Sequence, residues 1–221
     1  MENAATPLDQ IRQRIAHAAN IAARAPEAIT LVAISKTHAA EAIRPLLEQG
    51  HRVFGENRVQ EAAAKWPDLR AEYPDVKLHL VGQLQSNKAD DAVALFDCIH
   101  SVDRPSLIAA LGRAMAKAGR KVSCFLQVNI GAEDQKGGCA IADIPALLEQ
   151  ARQAGIPVIG LMAVPPLDQE AAPYFALLDK LAADHGLASL SMGMSGDFET
   201  AIMLGASHVR VGSALFGTRE G

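Results

Sequence analysis

Residues 187–217 read LASLSMGMSGDFETAIMLGASHVRVGSALFG. Two strand-then-helix units lie in this one stretch. A short apolar run, 187–191, ends in a glycine-rich turn, and helical spacing follows over 198–204. A second run, 208–211, leads through Gly212 into a short helix over 213–216. Short apolar strands, each followed directly by a helix, belong to a parallel sheet whose outer face is covered.

The same rhythm extends back to residue 30. Strands are predicted at 30–35, 52–54, 78–81, 98–102, 122–130 and 158–164. Helices are predicted at 39–49, 58–65, 87–95, 103–117, 141–154 and 170–184. Gly50 closes the first of these helices, and Asp103 with Pro105 opens the fourth. Eight strand-helix units suit a closed (β/α)8 TIM barrel, an α/β fold. An open doubly wound sheet is the competitor, but no GxGxxG follows the first strand. A further helix over 8–25, stopped by Pro26, precedes the barrel. No Gly/Ser/Pro linker divides the chain, so residues 1–221 read as one domain, with segment 1–26 packed on the barrel and no second β-domain.

Length and composition agree. The chain has 221 residues, 49% hydrophobic and 21% charged. A chain of this size buries roughly 70% of its unfolded surface, enough for a core without disulfides. A net charge of −4 offers no bulk attraction for nucleic acid or anionic membranes. Aromatic residues, at 4%, supply no base-stacking platform. Cys98, Cys124 and Cys139 form no CxxC and read as thiols in a reducing compartment. The N-terminus lacks a signal layout, and no apolar stretch approaches the ~18 residues of a membrane span. The expectation is a cytoplasmic protein. No long exposed apolar stripe stands out, so a monomer is expected.

Active sites of such barrels form at the C-terminal ends of the strands. Lys36 stands there after the first strand, Gly55-Glu56-Asn57 after the second, and Met162 on the sixth. His79 lies on the third strand, where it reads as a core or pocket hydrogen-bonding residue. SMGMSG follows the seventh strand, and Arg210, Gly212 and Ser213 accompany the eighth. Glycine turns opening two successive helices suit an anion, because free backbone N–H groups point outward there. Ser195 and Ser213 add hydroxyls; serine-capped turns are the plainer reading of either turn alone. A lysine held out of water at the mouth can attack a carbonyl carbon and form a Schiff base. Lysine plus phosphate cradle leaves two ligands open: a phosphosugar, as in lysine aldolases, or pyridoxal 5′-phosphate. Met162 and Met194 can lie against a flat ring. Gly193-Met194-Ser195-Gly196-Asp197 is not GxSxG, and the seven histidines show no compact metal-ligand spacing.

The strings AISKTH, FGENRVQE, LHLVGQLQSNK, GLMAVPP, LSMGMSGDFETAI and GASHVRVGSALFG fall in order along the chain. Together they resemble the pyridoxal phosphate homeostasis protein family, whose fold is an alanine-racemase-like barrel. The resemblance implies that Lys36 holds pyridoxal phosphate as a Schiff base. It places Ser195, Gly212 and Ser213 at the phosphate, with Ser213 where the family more often has Thr. It sets Arg210 against the pyridine nitrogen and Asn57, His79 and Met162 around the ring. Lys136 matches a family lysine in a mobile loop, although a solvated loop charge is the simpler reading. Gly196 stands where the family usually has a polar or small residue.

A guanidinium at the pyridine nitrogen disfavours its protonation and weakens the ring as an electron sink. Alanine racemases, by the same resemblance, take a second base from a tyrosine of a further domain. Tyr73 and Tyr174 are the chain's two tyrosines, and neither lies in a strand-end motif. The expectation is a holder of pyridoxal phosphate that serves client enzymes, with little or no amino-acid catalysis. An amino-acid racemase is the alternative.

Overall fold

The structure, a computed structural model, describes residues 5–217. Residues 1–4, within the predicted 1–26 segment, and residues 218–221 lie outside the described residues. Eight parallel strands close into a barrel in sequence order. They are β1 (Thr30–Ile34), β2 (Val53–Glu56), β3 (Lys77–Leu80), β4 (Cys98–Val102), β5 (Ser123–Gln127), β6 (Val158–Met162), β7 (Ser189–Ser191) and β8 (His208–Val211). Closure comes from β1 pairing with β8, with Thr30 opposite His208 and Ala33 opposite Val211. The open-sheet alternative is thereby excluded.

Helices cover the outside: α1 (Pro7–Ile21), α2 (Ala40–Glu48), α3 (Val59–Glu72), α4 (Ala89–Leu95), α5 (Pro105–Ala118), α6 (Ile144–Gln153), α7 (Ala172–Asp184), α8 (Phe198–Met203) and α9 (Ser213–Phe216). The apolar face of α1, with Leu8, Ile11 and Ile15 buried, packs against α8 and α9. Thr6 starts α1 with a reciprocal capping box to Asp9. Most of the apolar burial joins strand backs to helix faces, as in Phe54 against Trp66.

Several predicted boundaries shift for physical reasons. The second-unit helix runs to Glu72 rather than 65, with Pro67 inside it. Buried Trp66 and Leu69 anchor that last part, and the proline is carried along. Asp103 does not cap α5. Arg104 holds the cap position, and Asp103 instead accepts the Gly138 N–H at 3.2 Å. Gly50 does follow a helix end, at φ +79°, two residues past Glu48. Single 3₁₀ turns, Ser86–Lys88 and Ile141–Asp143, replace the first turns predicted for α4 and α6. β5 and β6 stop short of 130 and 164 because their last residues turn into the mouth loops.

The barrel interior is unusually polar. Branched aliphatic residues usually fill such a barrel. Here the rings of His79, His100, Phe125 and His208 meet with centroids 4.5–6.0 Å apart. Arg210 lies in the same interior, 6% exposed.

Candidate functional site

A cavity of about 540 Å³ opens at the C-terminal ends of the strands. That volume lies within the ~300–1,000 Å³ range of small-ligand pockets. Seven of the eight predicted site residues line it: Lys36, Asn57, Met162, Ser195, Arg210, Gly212 and Ser213. His79 does not. Its side chain faces the barrel interior, where Nδ1 lies 3.0 Å from His100 Nε2. The residue is two positions too early on β3: Val81, just past the strand, is the one that reaches the cavity.

Lys36 lies just past β1, half-buried, and Ile34 and His38 line the wall on either side of it in sequence. Among the described residues no acid pairs with its amine. On the same cavity wall, past the neighbouring strand β8, two turns are joined: Ser195 Oγ accepts the Gly212 N–H at 3.3 Å. Serine 195 therefore ties the β7 turn to the start of α9. Gly193 makes the β7 turn possible, at φ +90° with a Cβ position 2.5 Å from Ala201. A Cβ at Gly196 would meet nothing within 4 Å, so the surface beside the turn is open.

Arg210 is fixed by oxygens. Nη1 donates to Ser191 O at 3.1 Å and to Ser191 Oγ at 2.9 Å, and Nη2 donates to Ala163 O at 2.9 Å. No described residue engages its Nε. Burial pulls its guanidinium down to about 10, which still leaves it a cation at neutral pH. Ser191 Oγ also bonds His100 Nδ1 at 2.8 Å, so Arg210, Ser191, His100 and His79 form one chain of contacts. Burial holds His79 down to about 3 and His208 to about 4, and His100 well below its ordinary value.

The sequence shows no compact metal-ligand motif, yet topology brings His79, Cys98 and His100 ligand atoms within 4.8 Å of one another. The two histidines are already bonded to each other, and burial pushes the Cys98 thiol well above its usual range. All three cysteines are free and buried. Lys136, on the loop after β5, pairs with Glu133 at 2.6 Å and donates to Pro165 O at 2.9 Å. Both tyrosines are away from the cavity: Tyr73 ends α3, and Tyr174 sits in α7 with its hydroxyl donating to Gln169.

The sequence profile of the family described as alanine racemase, N-terminal domain, matches residues 7–220. A pyridoxal phosphate homeostasis protein of Pseudomonas aeruginosa is 41% identical over 226 residues, spanning 100% of this chain and 97% of that one. The chain belongs to the pyridoxal phosphate homeostasis protein family. Another member, from Escherichia coli K12, is 36% identical over 232 residues and matches 98% of its own length. Among solved structures, PipY of Synechococcus elongatus with PLP bound superposes at a TM-score of 0.83 and 40% identity, covering 94% of this chain and all of PipY. An alanine racemase of Clostridium difficile superposes at 0.70 with 14% identity, over 57% of its length. That last likeness concerns the barrel fold alone. Among the described residues no helix is long and apolar enough to cross a membrane.

Sequence reading missed Ile34, His38, Val81, Val164 and Gly217 in the cavity wall. Each lies at or within a few residues of a strand end or of the last helix. The end of the first apolar run was a usable signal for Ile34; His38 lies beyond a left-handed turn at Thr37 that no alternation reveals.

Proposed function

We propose that the protein binds pyridoxal 5′-phosphate and takes part in its homeostasis, holding it covalently and reversibly through Lys36. The observation that carries the reading is the convergence of Lys36, Arg210 and the Ser195–Gly212–Ser213 turns on one cavity. The residues fit the group. Ser195, Ser213 and the turn backbone would hold the phosphate; Met162 would pack against the ring, and Asn57 would add a polar contact. Arg210, whose Nε no described residue engages, would face the ring nitrogen. When bound, pyridoxal phosphate supplies an aldehyde that a lysine amine can capture.

The chain's own residues bind and orient more than they catalyse. A guanidinium opposite the ring nitrogen opposes its protonation. No described tyrosine reaches the cavity to act as a second base. The proposal therefore includes little or no amino-acid chemistry. It also includes apo-enzymes as recipients, a cytoplasmic location that suits three free thiols, and a monomeric state.

Purified protein incubated with pyridoxal phosphate and reduced with borohydride should carry one phosphopyridoxyl group on Lys36, located by peptide mass mapping. Lys36→Ala should abolish that adduct. An unmodified Lys36 in the wild type, or an adduct elsewhere, would overturn the reading.

A further inference from the structure

The turn that carries Lys36 is held from behind. β1 ends at Ile34, and residues 35–38 turn away before α2 begins. Thr37 adopts φ +65°, a left-handed conformation rare for a β-branched residue. Such a conformation persists only where its surroundings over-determine it. Here they do. The Thr37 N–H donates to Glu61 of α3. Lys65, one turn further along α3, donates to Ser35 O and His38 O, both at 2.9 Å. One ammonium thus bridges the two ends of the turn.

Lys65 is itself anchored. Its Nζ lies 2.7 Å from Glu56 Oε1, with side-chain exposures of 9% and 0%. The same Oε1 accepts from Ser35 Oγ at 2.7 Å and from Trp66 Nε1 at 2.9 Å. Glu56 ends β2, the strand paired with β1. At the far end of the turn, the His38 ring stacks on Phe216 of α9 at 4.6 Å. Neither Glu56 nor Lys65 lines the cavity.

Stability alone does not account for a buried ion pair. Desolvation offsets much of its attraction, and well-packed apolar residues of similar volume often hold a core equally well. What an apolar pair cannot do is bond both carbonyls of the neighbouring turn.

We propose that the Glu56–Lys65 pair is a positioning device for Lys36, fixing the turn so that the Lys36 amine meets the aldehyde carbon. The inference rests on the proposed capture of pyridoxal phosphate by Lys36. Capture joins that amine to the aldehyde carbon and releases one water as the C=N bond forms. No electrons are transferred, and Lys65 acts only through the backbone it holds.

The test is Lys65→Met, with two readouts. One is the rate and extent of borohydride-trapped adduct on Lys36. The other is the affinity for 4′-deoxypyridoxine 5′-phosphate, which has the ring and phosphate but no aldehyde. Adduct formation is expected to fall at least ten-fold, while affinity for the aldehyde-free analogue stays within two-fold. Unchanged adduct formation overturns the inference. Equal losses in both readouts overturn it too, because they assign the pair to general packing. If Lys65→Met does not fold, Glu61→Ala removes the Thr37 contact and the 3.5 Å Glu61–Lys65 pair, and leaves the Glu56–Lys65 pair in place. It should slow adduct formation several-fold at an unchanged melting temperature, and an unchanged rate counts against the proposal. A wild type without a Lys36 adduct defeats the functional reading itself. A wild-type adduct that Lys65→Met leaves intact defeats only the positioning role.

Discussion

Arg210 sets the chemical character of the cavity at the scale of one residue. Its two terminal nitrogens bond two carbonyls and a hydroxyl, not a carboxylate. Burial disfavours the charged form of the histidines beyond Ser191, so they add dipoles and no second positive charge. A cation so held cannot act as the acid that a strong electron sink needs at the ring nitrogen. The loaded protein, incubated with L-alanine in deuterated water, should therefore exchange the α-proton no faster than free pyridoxal phosphate does. Loss of the α-proton NMR signal at an enzymatic rate, with formation of D-alanine, would contradict this. Much of the residue scale was legible in the chain. Lys36, Ser195, Gly212 and Ser213 announce themselves by lying in the turns that follow strands. Ser191 and His100 do not, because their role depends on a partner 91 residues apart in sequence. His79 takes the core half of its core-or-pocket reading: a strand position two residues deep points to the same side as the mouth residue, but below it.

At the scale of elements, close strand approach is as decisive as burial. A Cβ at Gly160 of β6 would stand 1.9 Å from the Ser189 carbonyl oxygen of β7. That neighbour is backbone within the barrel wall and has no rotamer to change. Gly160→Ala should cost about 3 kcal/mol or leave no soluble protein, read as a lowered urea midpoint. Wild-type stability in that variant would mean that the strands separate freely. Strand existence and order were readable, since apolar runs and helical spacing alternate without a break. Element ends were less so. α3 continues past Lys65 through Pro67 because Trp66 and Leu69 find a tertiary surface to bury against. α5 lacks its expected aspartate cap because Asp103 is recruited by the Gly138 backbone.

At the scale of the molecule, buried histidines, three of them in the barrel interior, tie stability to pH. His51 and His208 are held down to about 4 and His79 to about 3, all chiefly by burial, and His100 lies well below its ordinary value. An unfolded histidine titrates near 6.5. Below that pH the unfolded chain binds more protons than the folded one, so stability falls as pH falls towards 4–3; above it these groups contribute no pH dependence. Each such histidine costs about 1.4 kcal/mol per pH unit below that point, and four together about 5.5 kcal/mol per pH unit. Against a typical total of ~5–15 kcal/mol, that is enough to unfold the protein. The urea midpoint should be level from pH 8 to 7 and drop steeply between pH 6 and 5. A level midpoint down to pH 5 would show that the histidines are not buried neutral. The sequence by itself determined the eight-unit barrel, the family and the strand-end residues of the cavity, because periodicity and motif order are local properties. Only the tertiary structure decided which side chains hold those residues in place. The Ser191 oxygens on Arg210, the histidine chain behind them and the Glu56–Lys65 clamp on the Lys36 turn all join different strands and helices. Such contacts exist only once the barrel has closed.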